Sequence, residues 1–179
     1  MPSLLALLAF AATGFGGGGP QATASCAEAI YTTPANAPPR SVQAVRIGSA
    51  VFNSLAHLTT VRDVGRPSRS RPFYTVKSPL TILARGDRGV ILTLVGGKDA
   101  VLVYNRRWLR RPAAWRHSFA RMPRSIRLPL CRDRQGRALN TQYAGGFLLR
   151  KLGCVTIQVR AVGETRTHQA TVPLGVRHC

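Results

Sequence analysis

With 179 residues, an apolar share of 45% and a formal net charge of +20, the chain reads as one basic globular domain and not as a disordered tail. Only six Asp and Glu face 26 Lys and Arg, and they are scattered singly, which leaves little room for the paired carboxylates of glycoside hydrolysis. Four cysteines, Cys26, Cys131, Cys154 and Cys179, form an even set, the arithmetic of a disulfide framework in an oxidising compartment.

Leu4 to Ala12 is an apolar run of nine residues, the length of a signal h-region and well short of the roughly 20 residues that cross a bilayer. Ala22-Thr23-Ala24 offers a small-x-small cleavage site before Ser25. Residues 1–24 are therefore assigned to a signal peptide, and the mature chain is expected to hold no transmembrane segment. No Lys or Arg precedes the apolar run, and Thr13 to Gln21, with Gly16 to Gly19, is long for a cleavage region. Thr23-Ala24-Ser25-Cys26 also resembles a bacterial lipobox, in which Cys26 is lipidated. Thr23 fits the first position of that motif poorly, and lipidation would leave an odd set of thiols. Secretion is the preferred reading and a lipoprotein anchored at Cys26 the minority one.

Residues 25–40, with Pro34, Pro38 and Pro39, read as an extended lead-in, and residues 41–179 as a single disulfide-stapled β domain. Val42 to Ile47 and Val51 to Leu58 have strand length, though Val51, Leu55 and Leu58 equally mark a helical face. Val61 to Arg71 is a basic, breaker-rich loop. Phe73 to Ala84 is rich in β-branched and aromatic residues, with Pro79 at a bulge or edge. Turns at Arg85 to Gly89 and Gly96 to Asp99 then link it to Val90–Val95 and Ala100–Tyr104, which predicts a three-strand antiparallel meander. Further strands are expected at His117–Arg121, Ser125–Leu130, Gly146–Arg150, Cys154–Val162 and Thr167–Val172. In the fourth of these, Val155, Ile157 and Val159 alternate with Thr156, Gln158 and Arg160, as a half-buried antiparallel strand requires. About eight or nine short strands predict an all-β fold, an antiparallel β-sandwich of immunoglobulin-like architecture, with a barrel as the lesser alternative.

In Ile126-Arg127-Leu128-Pro129-Leu130-Cys131 the alternation puts Cys131 on the outward parity, as it does Cys154 in its own strand. The expected disulfides are Cys131–Cys154, stapling strand ends, and Cys26–Cys179, tying the termini together.

The sharpest chemical signal lies between Asn105 and Arg127. Arg106, Arg107, Arg110, Arg111, Arg116, Arg121, Arg124 and Arg127 are interleaved there with Trp108, Trp115 and Phe119. Guanidinium forks take phosphate or carboxylate bidentately, and the rings offer stacking surfaces. Export demotes intracellular nucleic acid as the partner and favours an anionic cell-envelope polymer or surface. The bland alternative makes the tryptophans core plugs and the arginines a solvated rim. Pro112 breaks any continuous amphipathic helix in the stretch.

His57, His117, His168 and His178 show neither H-x-x-x-H nor H-E-x-x-H spacing, so no metal and no cofactor is expected. There is no G-x-S-x-G motif and no Cys–His signature, and the reading leans away from an enzyme. A trio of His57, Asp63 and some serine is available to any chain this long. Gly14 to Gly19 lacks the strand and the Gly-Lys-Ser/Thr of a phosphate loop, and Arg85-Gly86-Asp87 is read as a turn.

Thr141-Gln142-Tyr143-Ala144-Gly145-Gly146-Phe147, continuing through Cys154-Val155 to Pro173-Leu174-Gly175 and Cys179, resembles the C-terminal half of small uncharacterised exported proteins of high-GC, actinomycete-type bacteria. The resemblance covers roughly residues 125–179. It implies a secreted β-rich domain and carries no functional residue across.

The sequence thus points to a secreted or cell-envelope protein that binds anionic polymers through an arginine-rich face. The alternatives are a structural or interaction module whose charge reflects genome composition, and an extracellular hydrolase. Oligomeric state is not addressed by the sequence.

Overall fold

Short β-prone runs broken by Gly, Pro and Asn fold into an all-β structure, a sandwich with no closed barrel among the described residues. The computed structural model describes residues 21–37, 43–58, 64–69, 72–86, 88–96, 98–105 and 119–179. Among them are thirteen strands: β1 Gln21–Thr23, β2 Ala29–Pro34, β3 Val45–Ile47, β4 Ala50–Phe52, β5 Tyr74–Lys77, β6 Leu80–Ile82, β7 Val90–Val95, β8 Ala100–Leu102, β9 Ser125–Leu128, β10 Leu139–Tyr143, β11 Gly146–Leu149, β12 Gly153–Ala161 and β13 Thr167–Leu174. One sheet has the order β1-β9-β7-β12-β13, the second β2-β10-β6-β4-β3, and a third, smaller one β5-β11-β8. The count exceeds the eight or nine expected because Phe73–Ala84 is split at Ser78-Pro79, and because β1, β2 and β10 were not anticipated. Of the stretch read as an extended lead-in, Cys26–Glu28 is a 3₁₀ turn, Ala29–Pro34 is β2, which pairs with β10 as an edge of the second sheet, and residues 38–40 lie outside the described residues.

The first sheet shows the alternation read from the sequence. Leu92 pairs with Val159 on one side and Ile126 on the other, all three buried, while Thr93, Gln158 and Ser125 face outward. That inner face shares one core with Phe52, Leu80 and Ile82 of the second sheet and with Leu102, Phe147 and Leu149 of the third. The third sheet is apolar on both faces. Val101 and Leu148 turn away from the main core into a second cluster with Phe73, Val103, Phe119 and Met122, where the Phe73 and Phe119 rings lie 4.5 Å apart.

The expected meander does not form. β6 pairs with β4 and β10, β5 with β11, β7 with β9 and β12, and β8 with β11. The glycine-bearing turns that look like hairpins carry the chain between sheets instead. What does run continuously is an antiparallel ribbon, β5–β6 against β10–β11, that bends from the third sheet into the second at Ser78-Pro79 and Ala144-Gly145. A buried polar knot fixes the bend. Ser78 Oγ donates to the Asn53 carbonyl at 2.9 Å, Tyr104 Oη donates to the Ser78 carbonyl at 2.8 Å, and the Asn53 N–H donates to the Pro79 carbonyl at 2.8 Å. Burial pushes the Tyr104 phenol well above its ordinary pKa, against a smaller lowering effect of the Ser78 side chain. Asn140, 3% exposed, accepts from the Ala84 N–H at 2.8 Å and donates to the carbonyls of Pro34 at 3.0 Å and Ala37 at 3.1 Å.

The disulfides are Cys26–Cys131 and Cys154–Cys179, with Cα separations of 5.7 and 5.6 Å. The expected Cys131–Cys154 and Cys26–Cys179 pairs are thereby corrected. The parity argument failed because β9 ends at Leu128, so its alternation does not reach Cys131, which is buried at 5% exposure. Of the predicted strand His117–Arg121, Phe119–Arg121 is a 3₁₀ turn and residues 117 and 118 lie outside the described residues.

Candidate anion-binding site

The strands that end near one rim of the sandwich carry cations. β11 runs Gly146–Leu149 with all four residues buried, so its continuation into Arg150-Lys151 brings two charges to the surface as soon as the core is cleared. The turn between β7 and β8 adds Lys98 and Asp99, and Arg124 stands immediately before β9. These residues border two adjoining recesses. One, of about 170 Å³, is lined by Lys98, Arg124 and Arg150 over a floor of Val101, Phe119 and Met122. The other, of about 260 Å³, includes Arg124, Lys151, Asp99, Leu94, Leu149 and Leu152. Arg124 lines both. Among the described residues, four cations against one carboxylate give the pair a positive field beside an apolar floor.

Arg124 is half-buried, and its Nη2 donates to the carbonyls of Leu94, at 3.3 Å, and Gly96. Its Nε is buried without a partner. The side chain is therefore locked against the end of β7 and presents its charge from a fixed position. Arg150 is held differently, with Cζ 4.5 Å from the centroid of the Phe119 ring, a cation–π contact that leaves the guanidinium edge open. The Arg150 N–H donates to the Asp99 carbonyl at 2.8 Å, which ties the two flanking segments together.

Of the residues singled out in the sequence, Arg106, Arg107, Arg110, Arg111, Arg116, Trp108 and Trp115 lie outside the described residues. Arg121 is exposed on the 3₁₀ turn, Arg124 lines the recesses, and Arg127 projects from β9. Lys98, Arg150 and Lys151 were missed. Each stands at the end of an apolar run, and a search for cations at strand ends would have found them.

The outer face of the first sheet is a second polar surface. Thr93 and Ser125 hydroxyls are 3.0 Å apart, Thr156 and Thr171 hydroxyls 2.9 Å, and Gln158 Nε2 donates to Gln169 Oε1 at 3.1 Å. Arg127 and Arg160 are the charged residues of its five strands, which contain no Asp or Glu. Among the described residues, no three His, Cys, Asp or Glu are grouped so as to hold a metal ion, and no helix is long and apolar enough to cross a membrane. No protein-family model, no curated protein and no solved structure matches the chain.

Proposed function

We propose that this is a secreted or cell-envelope binding protein, not an enzyme, whose partner is an anionic envelope polymer. The observation that carries the reading is the gathering of Lys98, Arg124, Arg150 and Lys151, from separate parts of the chain, around two adjoining recesses. Two disulfides fit an oxidising environment, and a net charge of +20 supplies the long-range attraction. In this reading the fixed Arg124 and the Phe119-supported Arg150 seat individual anionic groups. The remaining arginines, those between Arg106 and Arg127 included, hold the rest of the polymer through less specific contacts.

The test is retention on an immobilised phosphate-rich polymer across a salt series. The logarithm of affinity should fall linearly with the logarithm of salt, by about 0.7–0.9 per phosphate neutralised. Lys98→Gln, Arg150→Gln and Lys151→Gln together should flatten that slope by about 2–3. Binding insensitive to salt would overturn the mechanism, and an unchanged slope in the triple variant would move the site elsewhere.

A further inference from the structure

The residues just before Ser25 are built into the fold. Gln21, Ala22 and Thr23 form β1, which pairs in parallel with Ser125, Ile126 and Arg127 of β9. Ala24 donates its N–H to the Arg127 carbonyl at 2.9 Å and is 3% exposed in the main core, with Ala22 packed against the same core. The Thr23 carbonyl accepts from Asn105 Nδ2 at 3.3 Å. Beyond the strand, the Ser25 N–H donates to the Glu28 carboxylate at 2.9 Å and Cys26 is bonded to Cys131. Ala22-Thr23-Ala24 therefore has a structural reason to be small-x-small. Gln21 and Thr23 face solvent, Ala22 and Ala24 face the core, and a strand of period two reproduces the spacing a leader peptidase reads.

We infer that the bond after Ala24 is not the processing site, and that the export leader ends upstream of Gln21 so that the mature protein keeps β1. The inference rests on the reading of Leu4–Ala12 as an export signal. A cut after Ala24 would strip three ladder pairs from β9 and expose its edge. It would also remove Ala24 from the core. A cut before Cys26 for lipidation would do the same damage and would need the sulfur that is bonded to Cys131. Suitable small residues stand further upstream. Gly14-Phe15-Gly16 and Gly16-Gly17-Gly18 follow closely on the apolar run, whereas Ala24 lies twelve residues beyond Ala12.

The whole chain is expressed in a secreting bacterial host, and the exported fraction is analysed by intact mass and N-terminal sequencing. The expected N-terminus falls between residues 13 and 21. A start at Ser25, or a lipid adduct on Cys26, overturns the inference while leaving export standing. A chain retained in the cell with Met1 in place overturns both. In parallel, chains made to start at Gln21 and at Ser25 are refolded with oxidation. The shorter one should melt about 5–10 °C lower or fail to fold; equal melting temperatures would show β1 to be dispensable and overturn the inference.

Discussion

Gly146→Ala tests whether the bent ribbon governs the fold. A Cβ built at Gly146 overlaps the Val76 carbonyl oxygen, and it meets the Val76 carbonyl carbon at 2.9 Å and the Ser78 nitrogen at 3.0 Å. All three are backbone atoms, so no side chain can swing aside. The β5–β11 ladder must open at its Gly146–Lys77 end. Two neighbouring bonds are strained with it, from the Val103 N–H to the Gly146 carbonyl and from the Ser78 N–H to the Gly145 carbonyl, each 3.0 Å. Weakening two or three buried hydrogen bonds at about 1 kcal/mol each, with some loosening around Phe147, gives a loss of about 3–5 kcal/mol. Gly136→Ala is the control. Gly136 has φ +79° and no atom within 4 Å of its would-be Cβ, so it carries only the left-handed penalty of about 1–2 kcal/mol. Urea unfolding followed by circular dichroism compares the two. A Gly146→Ala loss no larger than that of Gly136→Ala would refute the steric argument.

Non-reducing peptide mapping should find Cys26 joined to Cys131 and Cys154 to Cys179. On the chain-entropy estimate, removing the first bond, across 105 residues, costs about 5 kcal/mol, and removing the second, across 25, about 3.5 kcal/mol. A Cys131–Cys154 peptide would contradict the topology. Asn140→Leu orphans the buried Ala84 N–H and releases the turn after β2, at a cost of about 3–4 kcal/mol in denaturant unfolding; a loss below about 1 kcal/mol would mean that the turn finds other partners. Asp133 links pH to stability. Partial burial pushes its carboxyl up, but hydrogen bonds from the Arg137 side chain and from the Arg137 and Gln135 N–H groups outweigh this and hold it below the usual carboxylate range. Its contribution is thus complete above the unfolded carboxylate pKa and is lost as pH falls through the depressed folded value. Asp133→Asn should flatten that part of the acid limb in unfolding curves, and an unaltered limb would show the turn to be irrelevant.

The parts of the fold that could be read from the sequence are those decided within a few residues. Strand β12 announced itself because Ile157 and Val159 must be buried while Gln158 must not, and β12 and β13 pair across a short turn. The meander failed at the next level. Consecutive strands pair only about two-thirds of the time, and nothing local distinguishes a turn that closes a hairpin from one that crosses between sheets. The residues of β5 pair with residues 69–75 positions away in β11, and those of β6 with residues 59–63 positions away in β10. The cysteine pairing failed for a related reason, since parity lapses where a strand stops and Pro129 follows Leu128 directly. Strand β1 was hidden by an ambiguity of chemistry, because alternating small residues serve an edge strand and a leader peptidase equally well. At the candidate site, Arg124 was visible in a basic run. Lys98, Arg150 and Lys151 stand near the ends of apolar runs, but grouping them with Arg124 required the topology that brings β8 beside β11.

The way arginine is used in this chain also bears on its charge. Arg46 Nε donates to the Gly48 carbonyl at 3.0 Å, and Arg160 Nη1 to the Glu164 carbonyl at 3.0 Å. Arg88 reaches the Val162 carbonyl at 3.4 Å, and Arg124 holds the end of β7. Each is a guanidinium fastened to the neutral carbonyl of a turn. Such bonds fix loops, as an ion pair would, but they neutralise nothing. A chain that merely drifted toward arginine through codon bias, while keeping ordinary acids, would pair many of these groups with carboxylates. Here six acids serve 26 cations, and the turns are tied down in a way that leaves the field intact. The self-repulsion this imposes on a fold is relieved when a polyanion supplies the missing charge. In the function proposed above, the envelope polymer would be that polyanion.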